Sequence, residues 1–300
     1  MIWSLATAAI AVLALAAVLI LLAPVWLRRK KRTHSQRGKL WELLYGLDWG
    51  AVSTNNYGFA PAEGDTPERH QLQMYAEHLK ALRASGRLKG HTRLLEVSCG
   101  RGGGLAHLVA RWPGTVEATG LDLSENALRA CREAHGHFDN LSFVPGSALA
   151  LPFPDASFDV VLNVEASNDY GDFAGFFAEV ERVLRPGGAF LYCDSRRAGE
   201  ASGVGRMMVG AGLAGEFRDI TENVLTACRQ DSPRRLRLIE SRVPWIYRLM
   251  FGRELRSYAA VEGSKKFEAF VSRRRRYVMT CAIKAEIAQI QPALAYAESA

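Results

Sequence analysis

The chain has 300 residues, 48% hydrophobic and 23% charged, which suits one globular domain with additions or at most two small domains. Its net charge of +7 is unevenly placed: residues 1–32 hold five of the 38 Lys and Arg and none of the 31 Asp and Glu. The body therefore carries a surplus of only two positive charges, and nucleic acid is not an expected partner. Five cysteines without a C-x-x-C spacing and seven scattered histidines argue against a disulfide framework and against a metal site.

No charged side chain occurs from Met1 to Leu27, and a helix of that length, at about 1.5 Å per residue, crosses ~30 Å of hydrocarbon. A cleaved signal peptide carries its positive charge in front; here Arg28, Arg29, Lys30, Lys31 and Arg32 follow the apolar stretch. Residues 1–27 read as a single-pass membrane anchor with Trp3 and Trp26 at its ends. Residues 28–39 read as a basic linker that faces anionic headgroups and keeps the globular body on the cytoplasmic side.

Residues 40–92 read as a helical N-terminal segment closing over the site. Apolar spacing predicts helices near 38–47 and 67–84, with the turn-rich "STNNYGFAP" between them. From Arg93 onward, short apolar runs at 93–98, 117–123, 141–146, 158–165 and 189–195 alternate with amphipathic stretches. That order predicts an open α/β fold over 93–195, Rossmann-like, with helices on both faces of a parallel sheet and ligands at the carboxyl ends of the strands. Residues 196–249 break the rhythm and read as a helical lid, in which Met207, Met208, Trp245 and Leu249 suit an apolar ligand or the lid's own core. "ELRSYAAVE" and "RRYVMTCAIKA" read as two last strands within 250–288, the second antiparallel, and 289–300 as a tail. The run Arg273 to Arg276 reads as a solvated helix end, with a phosphate or lipid contact as the alternative.

The chemistry centres on "LLEVSCGRGGG", residues 94–104. Neither register of G-x-G-x-x-G is met, because Leu105 and His107 stand where the third glycine belongs, and no Gly-Lys-Ser/Thr follows. A carboxylate at the end of the first strand repels a pyrophosphate but attracts a cation, and S-adenosylmethionine carries both an ammonium and a sulfonium. Asp122, 22 residues after Gly100, has the position of an acid that accepts both hydroxyls of a ribose.

In "EVSCGRG", "LDLS", "LPFPDASFDVV" and "VLRPGG" the chain resembles the class I S-adenosylmethionine-dependent methyltransferases over roughly residues 93–195. Through "LEVSCGRGGG", "VVLNVEAS" and "VLRPGG" it resembles more narrowly the phthiotriol and phenolphthiotriol dimycocerosate O-methyltransferases, which act on a hydroxyl of a very hydrophobic lipid. A looser likeness runs on through "ITENVLTACRQDS" and "FGRELRSYAAVEG". The resemblance implies cofactor contacts from Tyr57, Glu96, Ser98, Gly100, Gly102, Asp122, Leu123, Ser147, Ala148 and Asn163. It departs from the family at "GSALALPF", where Ser147 replaces an acid that reaches the adenine, and at Asn168, where related sequences place a histidine.

Methyl transfer from a sulfonium needs mainly alignment of the nucleophile, and removing a proton from an alcohol contributes ~10²–10⁴-fold. Asn168 cannot take that proton. The candidate catalytic residues are Glu165, Asp194, Asn168 and Tyr170, with Asp169 nearby. The expected function is O-methylation of a hydrophobic lipid-like molecule; C-methylation of an isoprenoid or sterol-like lipid, and a binding protein that no longer turns over, are the alternatives. The oligomeric state is not readable.

Overall fold

The computed structural model describes Glu42, Tyr45, Gly46 and residues 48–286 other than Lys89 and Pro113. The expected anchor at 1–27, linker at 28–39 and tail at 289–300 lie outside these residues, as does most of the helix expected over 38–47, of which Glu42 and Tyr45 are helical. Among the described residues no helix is long and apolar enough to cross a membrane.

From residue 69 the chain runs α1 (Arg69–Ala84), β1 (His91–Val97), α2 (Gly103–Arg111), β2 (Thr115–Asp122), α3 (Glu125–His135), β3 (Leu141–Pro145), β4 (Phe158–Val164), α4 (Phe173–Val183) and β5 (Leu184–Arg197). It continues through α5 (Ala201–Gly210), β6 (Leu213–Ala214), β7 (Arg218–Asp219), α6 (Thr221–Arg242), α7 (Trp245–Tyr258), α8 (Lys265–Val271) and β8 (Arg275–Lys284). The strands form one sheet in the order β3-β2-β1-β4-β5-β8-β6, with β7 also on β8. Strands β1 to β5 pair in parallel, and β8 runs antiparallel to β5, as expected of the last strand.

Side chains alternate between the two faces of a strand, so each central strand feeds two cores. Leu94, Val160, Leu162 and Leu191 pack with Met74 and Leu82 of α1 and with Leu105 and Leu108 of α2. Leu95, Val161 and Phe190 pack on the other face with Phe176, Phe177 and Val180 of α4. Each such side chain contributes on the order of 1.5–3 kcal/mol by leaving water. Both faces being covered, the strands read as continuous apolar runs, which is why they were legible. The order reverses between β1 and β4, and open α/β sheets bind ligands in the crevice outside the carboxyl ends of the strands at such a switch point.

Residues 250–288 depart from expectation. "ELRSYAAVE" is not a strand: Trp245–Tyr258 is helical, and the chain turns at Ala259 and Ala260, the latter at φ +47°. Leu255, Ser257 and Ala259 mimic a strand's alternation, but Met250, Glu254, Leu255 and Arg256 are good helix formers. In the expected lid, the two-residue strands β6 and β7 add to the edge of β8, and two residues leave no alternation to read. Arg273 to Arg276 is not a helix end either: α8 stops at Val271, and Arg275 and Arg276 begin β8.

Gly102 at φ +75° takes the left-handed turn that admits α2, a conformation that favours glycine. Gly104 is needed for space, since a Cβ there would stand 1.8 Å from Cζ of Tyr75. Gly104→Ala is expected to cost about 1–3 kcal/mol or more through overpacking, read as a lower midpoint of urea unfolding; an unchanged midpoint would show that Tyr75 can retreat without loss.

Candidate active site

Strand β1 delivers Glu96 to the crevice with 1% of its surface exposed. Its Oε1 accepts the Tyr75 hydroxyl at 2.9 Å, and its Oε2 is buried with no hydrogen-bond partner among the described residues. Burial pushes this carboxyl up to about 8, against the pull of the Tyr75 hydroxyl, and the Asp122 charge adds to the rise. Ser98 follows at φ +61°, the conformation a glycine would favour at this place, and its hydroxyl meets that of Tyr170 at 2.7 Å.

Strand β2 ends in Asp122, which ties the turn together. Its Oδ2 accepts the Gly100 N–H and its Oδ1 the Ser124 N–H, both at 2.9 Å. Burial raises its carboxyl to about 6, and the two N–H groups work against the rise. Ser124 caps α3 by accepting the Ala127 N–H at 3.1 Å, so the glycine turn, the acid and the helix start are one unit. Leu123, 48% exposed, leaves its side chain open beside this acid. The Gly146 N–H reaches the Asp122 carbonyl at 3.0 Å, which brings Ser147 and Ala148 to the same edge; the Ser147 hydroxyl accepts the Leu149 N–H at 3.2 Å, and Ala148 is buried.

From β4 comes Asn163, fully buried, whose amide donates to the Val97 carbonyl at 2.9 Å and to the Tyr170 hydroxyl at 2.7 Å. Its Oδ1 has no partner among the described residues. Two buried acceptors without donors, Glu96 Oε2 and Asn163 Oδ1, therefore lie at the ends of the adjacent strands β1 and β4. A buried acceptor left unpaired costs roughly 1–3 kcal/mol, and an ammonium would satisfy either. The acid pair, the turn and these orphaned oxygens fit S-adenosylmethionine.

Beyond β4 lies a second group of side chains. Glu165 sits at φ +53°, and its Oε2 accepts the Tyr57 N–H at 2.8 Å and the Tyr277 hydroxyl at 3.0 Å. Burial, then the Asp194 charge, pushes it up to about 8. The Tyr57 ring stands edge-on to Phe270 and Tyr277, 5.9 and 6.3 Å between centroids, and its carbonyl accepts from Arg235 at 2.7 Å.

Asp194 is fully buried and saturated. It accepts from the Ser167 hydroxyl at 2.6 Å, the Asn168 N–H at 3.2 Å, the Ser195 N–H at 2.6 Å and the Asn168 side-chain amide. It also pairs with Arg196 at 3.3 Å. Arg196 in turn holds the Asn168 Oδ1 at 2.9 Å and lies 4.3 Å over the Phe173 ring. Asn168 is thus a clamp between Asp194 and Arg196.

The residues named from the sequence fall in two groups: Glu96, Ser98, Gly100, Gly102, Asp122, Leu123, Ser147, Ala148 and Asn163 at the ends of β1 to β4 and in the turns that follow, joined by Tyr170 through Ser98 and Asn163, and Glu165, Asn168 and Asp194 beyond β4 and on β5, with Tyr57, expected among the cofactor contacts, held in this second group by Glu165. Sequence reasoning missed Tyr75 and Tyr277. Tyr75 and Tyr277 sit among apolar neighbours in their own elements and read as core, so nothing local marks them. Among the described residues, no group of three or more His, Cys, Asp or Glu is placed to hold a metal ion.

The strand order, the glycine turn and the acid at the end of β2 define a class I S-adenosylmethionine-dependent methyltransferase. Residues 95–192 match the family model described as a methyltransferase domain. The chain is 41% identical over 181 residues, 60% of its length and 67% of the relative's, to a probable phthiotriol/phenolphthiotriol dimycocerosates methyltransferase 2 of Mycobacterium ulcerans. It is 44% identical over 151 residues to a fatty-acid O-methyltransferase of Mycolicibacterium smegmatis, spanning 50% of this chain and about half, 52%, of that one. Among solved structures, the [4+2]-cyclase SpnF superposes with a TM-score of 0.68 at 18% identity, over 85% of this chain and 97% of that one; that likeness speaks for the fold. The chain belongs to the class I methyltransferases, in the branch of the phthiotriol/phenolphthiotriol dimycocerosates methyltransferases, and S-adenosylmethionine is its cofactor.

The raised carboxyls give a pH dependence. Glu96, held near 8 against an ordinary 4.5, keeps its proton longer in the folded than in the unfolded chain, so its contribution to stability falls as pH rises through that window. A bound ammonium favours the ionised form and expels the proton. Affinity for S-adenosylmethionine is therefore expected to rise from pH 6 to 7.5, below the range near 8 where the cofactor's own α-amino group titrates, by up to about tenfold per unit for each proton released. Asp122, near 6, adds in the same sense at the lower end. Glu96→Gln should flatten the slope above pH 6.5 and raise the melting temperature of the free protein; a slope equal to that of the parent would remove Glu96 from the ammonium site. Calorimetric titration across this range is the measurement.

Proposed function

We propose that this chain is a membrane-anchored O-methyltransferase acting on a hydrophobic lipid, with its catalytic body on the cytoplasmic side. The lipid class rests on the relatives, whose names specify dimycocerosates and fatty acids, and on the aromatic wall of Tyr57, Phe270 and Tyr277 beside Glu165. The anchor rests on the uncharged stretch from Met1 to Leu27 and the five cations behind it. A tethered enzyme meets its lipid at a high effective concentration.

The observation that carries the reading is the division of the crevice into two parts. The cofactor end holds Glu96 and Asn163 for the ammonium, Gly100 and Gly102 for close backbone approach, Asp122 for the ribose hydroxyls, and Leu123, Ser147 and Ala148 for the adenine. The acceptor end holds Glu165, Tyr57 and Tyr277. When bound, S-adenosylmethionine supplies a methyl group on an activated sulfur. The chain's own residues then have to align an oxygen and exclude water. Asp194, saturated by donors and paired with Arg196, holds Asn168 and Ser167 in place. Glu165, at about 8, is mostly protonated at neutral pH and lends a neutral, hydrogen-bonding wall there.

The test is transfer of labelled methyl from S-adenosylmethionine into a membrane lipid extract by the detergent-solubilised full chain. Label in an organic-extractable product supports a lipid methyltransferase; lability to mild base marks an ester, and stability marks an ether or a C–C bond. Cofactor binding without transfer would overturn the lipid assignment.

A further inference from the structure

Lys266, in α8, is out of keeping with its surroundings. It is half-buried, and among the described residues its ammonium makes no ion pair and no hydrogen bond. It stands 5.8 Å from the centroid of the Tyr57 ring, and Tyr57 is the residue whose N–H holds Glu165 at 2.8 Å. The surrounding charges are Arg275, Glu165, Asp194 and Asp169. Asp194 is already paired with Arg196, and Glu165 is pushed up to about 8, which leaves Asp169 as the remaining acid among the charges around Lys266. Arg275 is itself incompletely satisfied: its Nη2 donates to Ser195 Oγ and to the Ser195 carbonyl, both at 2.8 Å, but its Nε is buried without a partner. Burial with the Arg275 charge nearby holds the Lys266 ammonium below its ordinary range, an effect an anion would reverse.

We propose that Lys266, backed by Arg275, binds an anionic acceptor headgroup, and that the acceptor is a long-chain carboxylate converted to its methyl ester. This rests on the reading of the crevice as a lipid O-methylation site. A carboxylate needs no base, which suits a site where Asn168 holds no proton-accepting group and Glu165 is itself protonated. One carboxylate oxygen forms the bond to the methyl carbon as the carbon–sulfur bond breaks, and that electron pair goes to sulfur. The positive sulfonium and the negative carboxylate become a neutral thioether and a neutral ester, and no proton moves. The ester, having lost its charge, loses its hold on Lys266 and can leave.

The experiment uses the full chain in phosphatidylcholine nanodiscs with palmitate, hexadecanol and S-adenosylmethionine as probes. Wild type is expected to form base-labile methyl palmitate in preference to any product from hexadecanol. Lys266→Met should weaken palmitate binding at least tenfold, measured with S-adenosylhomocysteine present, and leave S-adenosylmethionine affinity within about twofold. Lys266→Arg should restore most of the palmitate affinity, which a merely structural role in packing would not explain. Equal palmitate affinity in wild type and Lys266→Met, or a base-stable ether from hexadecanol with palmitate untouched, would overturn the inference and leave the lipid methyltransferase reading standing. Absence of label in any lipid would overturn both.

Discussion

Asp122→Ala is expected to weaken S-adenosylmethionine binding at least tenfold, about 1.4 kcal/mol, and up to about a hundredfold, because the substitution removes two things at once. The carboxylate is the acceptor expected for the ribose hydroxyls, and it also holds the Gly100 and Ser124 N–H groups at 2.9 Å. Losing it leaves two donors unmet, each costing roughly 1–3 kcal/mol if water does not reach it. Ser124 also caps α3, so the disturbance should spread to the helix start. The two losses separate by measurement. Asp122 is held near 6 by burial, so its removal also relieves a desolvation cost in the free protein, which offsets part of the loss of the two hydrogen bonds, and the melting temperature should fall by less than those bonds alone imply. A calorimetric affinity loss without a matching stability loss assigns the acid to the ligand. Unchanged affinity would confine Asp122 to shaping the turn. Asp122→Asn, which keeps one acceptor for the backbone and offers only one oxygen to a ribose, should fall between the two.

The same residue explains what the sequence made legible. Glu96 and Asp122 were readable because a glycine turn fixes the geometry of its neighbours within a few residues, and β1 to β5 because strands buried on both faces leave unbroken apolar runs. Features set by non-local packing were not readable. Tyr75 reaches Glu96 from a helix 21 residues earlier in the chain, and Tyr277 reaches Glu165 from a strand 112 residues later; each looks like an ordinary core aromatic in its own element. The end of helix α7 and the turn after it, "ELRSYAAVE", read as a strand because five residues of chance alternation outweigh the helix formers, and tertiary context decides such short stretches. Asp194 was found as a strand-ending acid, but a strand end says nothing of what surrounds it, and here the surroundings already supply four hydrogen bonds and a cation.

That crowding sets the second large effect. Asp194→Ala is expected to destabilise the folded chain by about 3–5 kcal/mol, the usual cost of leaving one member of a buried ion pair alone. Asp194 is fully buried and Arg196 is 2% exposed, so neither charge can turn to water. The guanidinium would keep its contacts with Tyr192 at 3.1 Å and Asn168 at 2.9 Å, but neither is an anion. Replacing both partners should cost less than the sum of the two single losses, because Arg196→Met removes the stranded charge and leaves an apolar chain against Phe173. Urea unfolding of the two single variants and the double variant gives the coupling energy. The kinetic outcome discriminates a structural from a catalytic acid. If Asp194 holds Asn168 and Ser167 in place, the stability loss is large and the double variant recovers part of it; if Asp194 were the base, stability would stay within about 1 kcal/mol of the parent and turnover would fall by the ~10²–10⁴-fold of a lost proton acceptor. A carboxylate with its lone pairs already taken by Ser167, Asn168, Ser195 and Arg196 cannot accept a further proton without breaking one of those bonds, so the first outcome is the expected one.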